Sequence, residues 1–204
     1  MQIFNFPTFG HLFTPSRSSF DIVANTKMSV SEVNMSQSIE QNPGEGFEVS
    51  YHFSVIEKEQ ANALRLHLLK LRGHTNLTRL IDPLYETQLG FLGTPLVDGA
   101  GQYGYALNVK NLTANQTCAR AGERFMLDGQ LNELLDDVNS DATGKATLNL
   151  AIEVRKPTTN NVALTTNAVD LNLLARWKDP KQIQQFASNR RLLRNVRLDF
   201  TGAR

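Results

Sequence analysis

The chain has 204 residues, 41% hydrophobic and 20% charged, a makeup that suits a globular protein with one core or two small ones and excludes a disordered or fibrous one. Its 21 Lys and Arg against 20 Asp and Glu leave a formal charge of +1, too balanced for whole-chain binding to a phosphate backbone. A single cysteine, Cys118, excludes an internal disulfide, and His11, His52, His67 and His74 show no metal-ligand spacing.

Along the chain, the first segment carries Phe4, Phe6, Phe9 and Phe13 among Pro7 and Gly10, at spacings that fit no helix. It reads as an apolar arm, which either folds onto its own domain or docks on a neighbouring subunit, because exposed Phe is costly in water. With no basic stretch before its apolar residues it is not expected to be a signal peptide, and no apolar run approaches the ~20 residues that span a bilayer. Two-residue alternation follows at Phe20, Ile22 and Ala24, continues at Met28 and Val30, and is clearest at Phe47, Val49, Tyr51, Phe53 and Val55. Between them SQSIEQNPGEG, with Pro43, Gly44 and Gly46, reads as a turn between antiparallel strands.

The period then changes. Ala61, Leu64, Leu68 and Leu71 share one helical face and predict an amphipathic helix over 57–72, with a capping box from Ser54 and Glu57 and a left-handed cap at Gly73. From Thr94 to Pro157, short alternating runs broken by glycines predict a small all-β unit with strands near 105–109, 124–127, 131–138 and 145–152. Alternation resumes at Val169, Leu171, Leu173, Ala175 and Trp177, a loop KDPKQIQQFASNRR follows, and Val196, Leu198 and Phe200 mark a final strand. Two closing strands are marginal alone, so they are expected to join the sheet begun at Phe20. The expected fold is therefore mostly β with one α-helix: a discontinuous β-barrel or sandwich (residues 1–93 and 158–204) carrying an inserted small OB-like barrel (94–157).

Motifs for chemistry are sparse. Gly99, Gly101 and Gly104 match G-x-G-x-x-G, but an alternating strand follows where a dinucleotide site needs a helix, so a turn is expected. Asp137, Asn139 and Asp141 occupy the first positions of a calcium loop that lacks its glycine and its last glutamate, and a polar hairpin is the better reading. No nucleophile, P-loop or zinc motif occurs, and Cys118 reads as a small core residue; no catalytic residue, metal or cofactor is expected. Charge is uneven: residues 176–204 hold eight Lys/Arg against Asp179 and Asp199, whereas 120–141 hold six acids against Arg120 and Arg124. Arg190, Arg191, Arg194 and Arg197 are thereby candidate interface residues beside Phe4, Phe6, Phe9 and Phe13.

Taken together, the meander and helix ending in RLIDP, the segments GTPLVDGAGQYGYALNV, AGERFMLDGQL and DATGKATLNLAI, and the closing NVRLDF resemble the distal tail proteins of long-tailed bacteriophages. The resemblance spans nearly the whole chain and rests on short, turn-like motifs: G-x-G-Q-x-G before a strand, A-G-[ED]-x-F, and a D-x-x-G hairpin. It implies a discontinuous domain that assembles into a ring, commonly a hexamer, between tail tube and tip hub, with an OB-like or galectin-like insertion facing outward. It further implies a structural virion protein of the tail tip, made in the host cytoplasm, without enzymatic activity, membrane or specific nucleic acid. Its partners would be copies of itself, the tail tube and hub proteins, and a candidate host-surface glycan. The competing expectation is a binding module whose inserted barrel grips single-stranded nucleic acid or a glycan through Tyr103, Tyr105 or Phe125, with charge from Arg191 and Arg194.

Overall fold

A computed structural model describes residues 1–7, 15–24, 26–32, 35–41, 45–186 and 192–203. Nearly half the chain is extended. The N-terminal part contains β1 (Ile3–Asn5), β2 (Arg17–Val23), β3 (Thr26–Val30), β4 (Gln37–Gln41) and β5 (Gly46–Glu57), then α1 (Lys58–Leu71) and β6 (Leu77–Leu80). The middle holds β7 (Gly93–Val97), β8 (Gly104–Leu112), β9 (Thr117–Ala119), β10 (Arg124–Leu127), β11 (Gln130–Glu133), β12 (Val138–Asn139) and β13 (Ala146–Val154). The chain closes with β14 (Leu173–Trp177) and β15 (Leu192–Gly202).

Strands from both chain ends form a six-stranded sheet in the order β1-β6-β14-β15-β5-β2, antiparallel except for the parallel β1–β6 pair. Its axis is the long β5–β15 pairing, which runs from Leu192 opposite Glu57 to Thr201 opposite Glu48 and skips Asn195 at φ +54°. Alternation puts Phe47, Val49, Tyr51 and Phe53 of β5 and Val196, Leu198 and Phe200 of β15 in one core. Helix α1 contributes Ala61, Leu64, Leu68 and Leu71, all buried in the same core, as their spacing requires. Its N-terminal box is made by Glu57 and Gln60, one turn later than the Ser54–Glu57 box read from the sequence, while the Ser54 hydroxyl bonds to Ser16. Arg72 itself takes the left-handed cap at φ +48°, and Gly73 follows at +67°.

A second core gathers Val97, Leu107, Val109, Phe125, Leu127, Leu148 and Leu150. Its framework is the three-stranded sheet β13-β8-β7 with two small ribbons, β10–β11 and β12–β9, tied in by bridges Leu134–Leu150 and Met126–Thr165. Neither unit closes into a barrel, which corrects the barrel expectation for both. Among the described residues the first sheet ends in unjoined edges at β1 and β2, and in the second unit register shifts within β7–β8, β8–β13 and β9–β12 break the ladder into short pieces.

Other expectations change in detail. Most of SQSIEQ is a strand, β4, because it pairs residue for residue with β3; the turn read there covers too much. The expected strand 131–138 is interrupted, with β11 ending at Glu133 and β12 starting at Val138. Ala168–Asp170 forms a 3-10 turn, so the late alternation becomes a strand only at Leu173. The loop after Trp177 contains a 3-10 segment, Pro180–Phe186, that buries Phe186. No helix among the described residues is long and apolar enough to cross a membrane.

Candidate functional site

Among the described residues β3 and β4 pair only with each other, and in the chain they lie between β2 and β5 of the six-stranded sheet. The register pairs Lys27 with Glu40, Met28 with Ile39, Ser29 with Ser38 and Val30 with Gln37. Alternation therefore gives the ribbon a polar face and an apolar face. Among the described residues no core covers the apolar face: Met28 is 60% exposed, Val30 47% and Ile39 68%, and Met35 near the tip is 75% exposed. The sequence pattern places Met28 and Val30 in a strand's alternation, which does not distinguish a covered face from an exposed one.

The candidate interface residues fall differently. Phe4 and Phe6 pack on the chain's own core, with the Phe6 ring 5.2 Å from Tyr51 and 5.5 Å from His67, so this part of the arm folds onto its own domain. Main-chain pairing of β1 with β6 holds it there. Phe9, Phe13, Arg190 and Arg191 lie outside the described residues. Arg194 and Arg197 are exposed on β15, and Arg197 bonds to Asp199 at 2.9 Å. Asp199, half-buried, is held below its ordinary carboxylate range: burial opposes its charge, but bonds from Ser50, Arg197 and Gln182 outweigh that. Lys178 pairs with Glu48 and Arg176 donates to the His74 carbonyl, so within the described basic segment Lys178 and Arg197 are ion-paired inside the chain.

The opposite, acidic stretch builds the joint between the two cores. Arg124 Nη1 lies 2.8 Å from Asp82 and Nε 2.9 Å from Glu133, and its guanidinium sits 4.8 Å from the Tyr85 ring centre and 5.4 Å from that of Phe20. Burial opposes the Arg124 charge, yet the two carboxylates raise its pKa overall. Next to it, Glu123, 2% exposed, accepts the backbone N–H groups of Leu89 and Gly90, and Phe125 meets Phe91 edge-on at 5.9 Å. Tyr85 Oη accepts the Arg124 backbone N–H. Three consecutive residues of AGERF thus grip the connector 82–91 that joins the units. Beside the joint, Leu131 and Ile152 of the second unit are buried in the first core.

Between the units lies a cavity of about 300 Å³, walled by Phe47, Phe125, Leu131, Ile152 and Leu173 and rimmed by exposed Asp128, Arg155 and Lys156.

The chemical motifs resolve as turns and core. Gly99, Gly101 and Gly104 all have positive φ, the Gln102 side chain bonds within the loop, and strand β8 follows. Asp137 holds Arg120 and the Ala121 N–H, Asn139 accepts from Thr117, and Asp141 accepts from Thr143 and Lys145. Among the described residues no group of three or more His, Cys, Asp or Glu converges as metal ligands would. Cys118 is buried and donates to the Thr113 carbonyl, while His67 bonds Thr78 Oγ1 in the other core. Of the stacking candidates, Phe125 is fully buried, Tyr105 is 42% exposed and Tyr103 75%. No family model matches the chain, and no curated protein matches it.

Proposed function

We propose that this chain is a structural subunit of a bacteriophage tail tip, resembling a distal tail protein, whose copies close a ring between the tail tube and the hub. The observation that carries the reading is the β3–β4 ribbon. A two-stranded ribbon is marginal by itself, and among the described residues this one has an uncovered apolar face between two unjoined strand edges. Such a surface gains roughly 2 kcal/mol for each large apolar side chain that a neighbour buries. Contact between a ribbon and a different patch on the next copy is heterologous, and heterologous contacts that close give rings. The second unit, in this reading, is the outward-facing OB-like module, and the AGERF joint fixes its direction. The ring would be a hexamer in the virion, made in the host cytoplasm, with tail tube and hub proteins as further partners and no catalytic role.

Native mass spectrometry at micromolar concentration tests this. Wild-type protein is expected as a closed oligomer of one size, and Met28→Glu with Ile39→Glu as a folded monomer. A wild-type protein that stays monomeric alone and with tube and hub proteins overturns the reading. A second reading, a module binding glycan or single-stranded nucleic acid, is favoured by one observation, the exposed Tyr103 ring. It predicts a complex that Tyr103→Ala abolishes.

A further inference from the structure

The chain carries two features that complement one another. One is the ribbon, with Met28, Val30 and Ile39 uncovered on one face and Met35 and Glu32 exposed near its tip. The other is the open apolar cavity between the units. Gly46 and Phe47, which line that cavity, open β5 just after the ribbon returns to the sheet. The cavity lining thus begins shortly after the ribbon in the chain. Five paired residues make the ribbon roughly 17 Å long.

Charge points the same way. Lys27 faces Glu40 across the ribbon, which leaves Glu32 as the unbalanced charge near the tip. The cavity rim carries Arg155 and Lys156 against Asp128. Neither Glu32 nor Lys156 is ion-paired with any described residue. Methionine, unbranched and with a polarisable thioether, is suited to fill an irregular apolar gap.

We infer that the cavity of each copy receives the ribbon tip of the next, Met35 entering between Phe47 and Leu131 while Glu32 meets Arg155 and Lys156. The occupant is a second copy of this chain, and the contact is head-to-tail, ridge on one face and socket on another. The inference rests on the homo-oligomeric reading above and names its interface.

Cysteine cross-linking separates the two, with buried Cys118 silent in the folded chain. Met35→Cys and Asp128→Cys are made singly and together in otherwise intact protein, with far-ultraviolet circular dichroism to confirm folding. Mild oxidation is expected to give a disulfide dimer when the two single variants are mixed, a ladder from the double variant, and monomer from either single variant alone. Adding Glu32→Arg to the Met35→Cys chain should cut the yield at least tenfold, and Lys156→Glu in the Asp128→Cys chain should restore it. Oligomers seen by native mass spectrometry without this cross-link overturn the socket assignment and leave the ring reading intact. Monomers at every concentration, alone and with tube and hub proteins, overturn both.

Discussion

Arg124→Met probes the joint directly, since it keeps much of the side chain's length and removes its charge. In the native chain the Arg124 side chain is 13% exposed and lies 2.8 Å from Asp82 and 2.9 Å from Glu133. Removing one partner of a buried ion pair costs about 3–5 kcal/mol, chiefly because the remaining charge is stranded. Here the stranded carboxylates are 15% and 26% exposed and can turn partly toward water, which places the loss near the lower end, about 3 kcal/mol. For a chain of 204 residues that corresponds to a fall in Tm of about 6–12 °C. Urea unfolding at pH 7 measures it. The triple variant Arg124→Met, Asp82→Asn, Glu133→Gln removes the stranded charges and is expected to recover more than half of the loss. A single variant within about 1 kcal/mol of wild type, or a triple variant no better than the single, would refute the stranded-charge argument.

His67 supplies a pH prediction. Burial, with Lys70 nearby, lowers its pKa to about 4 from the ordinary 6.5, so the folded state favours neutral imidazole and the unfolded chain takes up the proton first. Its contribution is complete above about pH 6.5 and is lost as pH falls toward 4, a change of about 3 kcal/mol; the difference in urea midpoint between pH 7 and pH 4 should shrink in His67→Gln, and an unchanged difference counts against the assignment. Gly144→Ala should destabilise by about 2–3 kcal/mol, because φ is +74° and the new Cβ would stand 2.3 Å from the Leu112 carbonyl oxygen. Gly99→Ala, at φ +102° with open space around it, should cost about 1 kcal/mol on the same melting curves. Glu123→Gln should loosen the Leu89–Gly90 connector, read as faster amide exchange at those two residues with the second core unaffected.

Much of the architecture was legible where a single period dominates. Leu64, Leu68 and Leu71 share a helical face, and Phe47 to Phe53 and Val196 to Phe200 alternate without interruption, so α1, β5 and β15 could be read and the meeting of β5 and β15 in one sheet anticipated. β1, β6, β7 and β9 are three to five residues long and too short to show a period. β4 is polar on most of its length, and only its pairing with β3 makes it a strand. The joint was unreadable for a different reason: AGERF could be quoted as a motif, but Arg124 meets Asp82 from 42 residues away, and no local pattern announces such a pair. The arginines singled out by charge counting are a partial case, since Arg197 spends its charge on Asp199 of its own strand.

Hydrogen exchange across residues 26–41, followed by mass spectrometry in dilute and in assembled protein, bears most directly on the claim that this ribbon joins copies. The account predicts fast exchange of the outward-pointing amides in dilute protein and strong slowing on assembly, with the β5–β15 amides slow in both. Assembly that leaves the ribbon exchanging as fast as before, while protecting some other face, would contradict it.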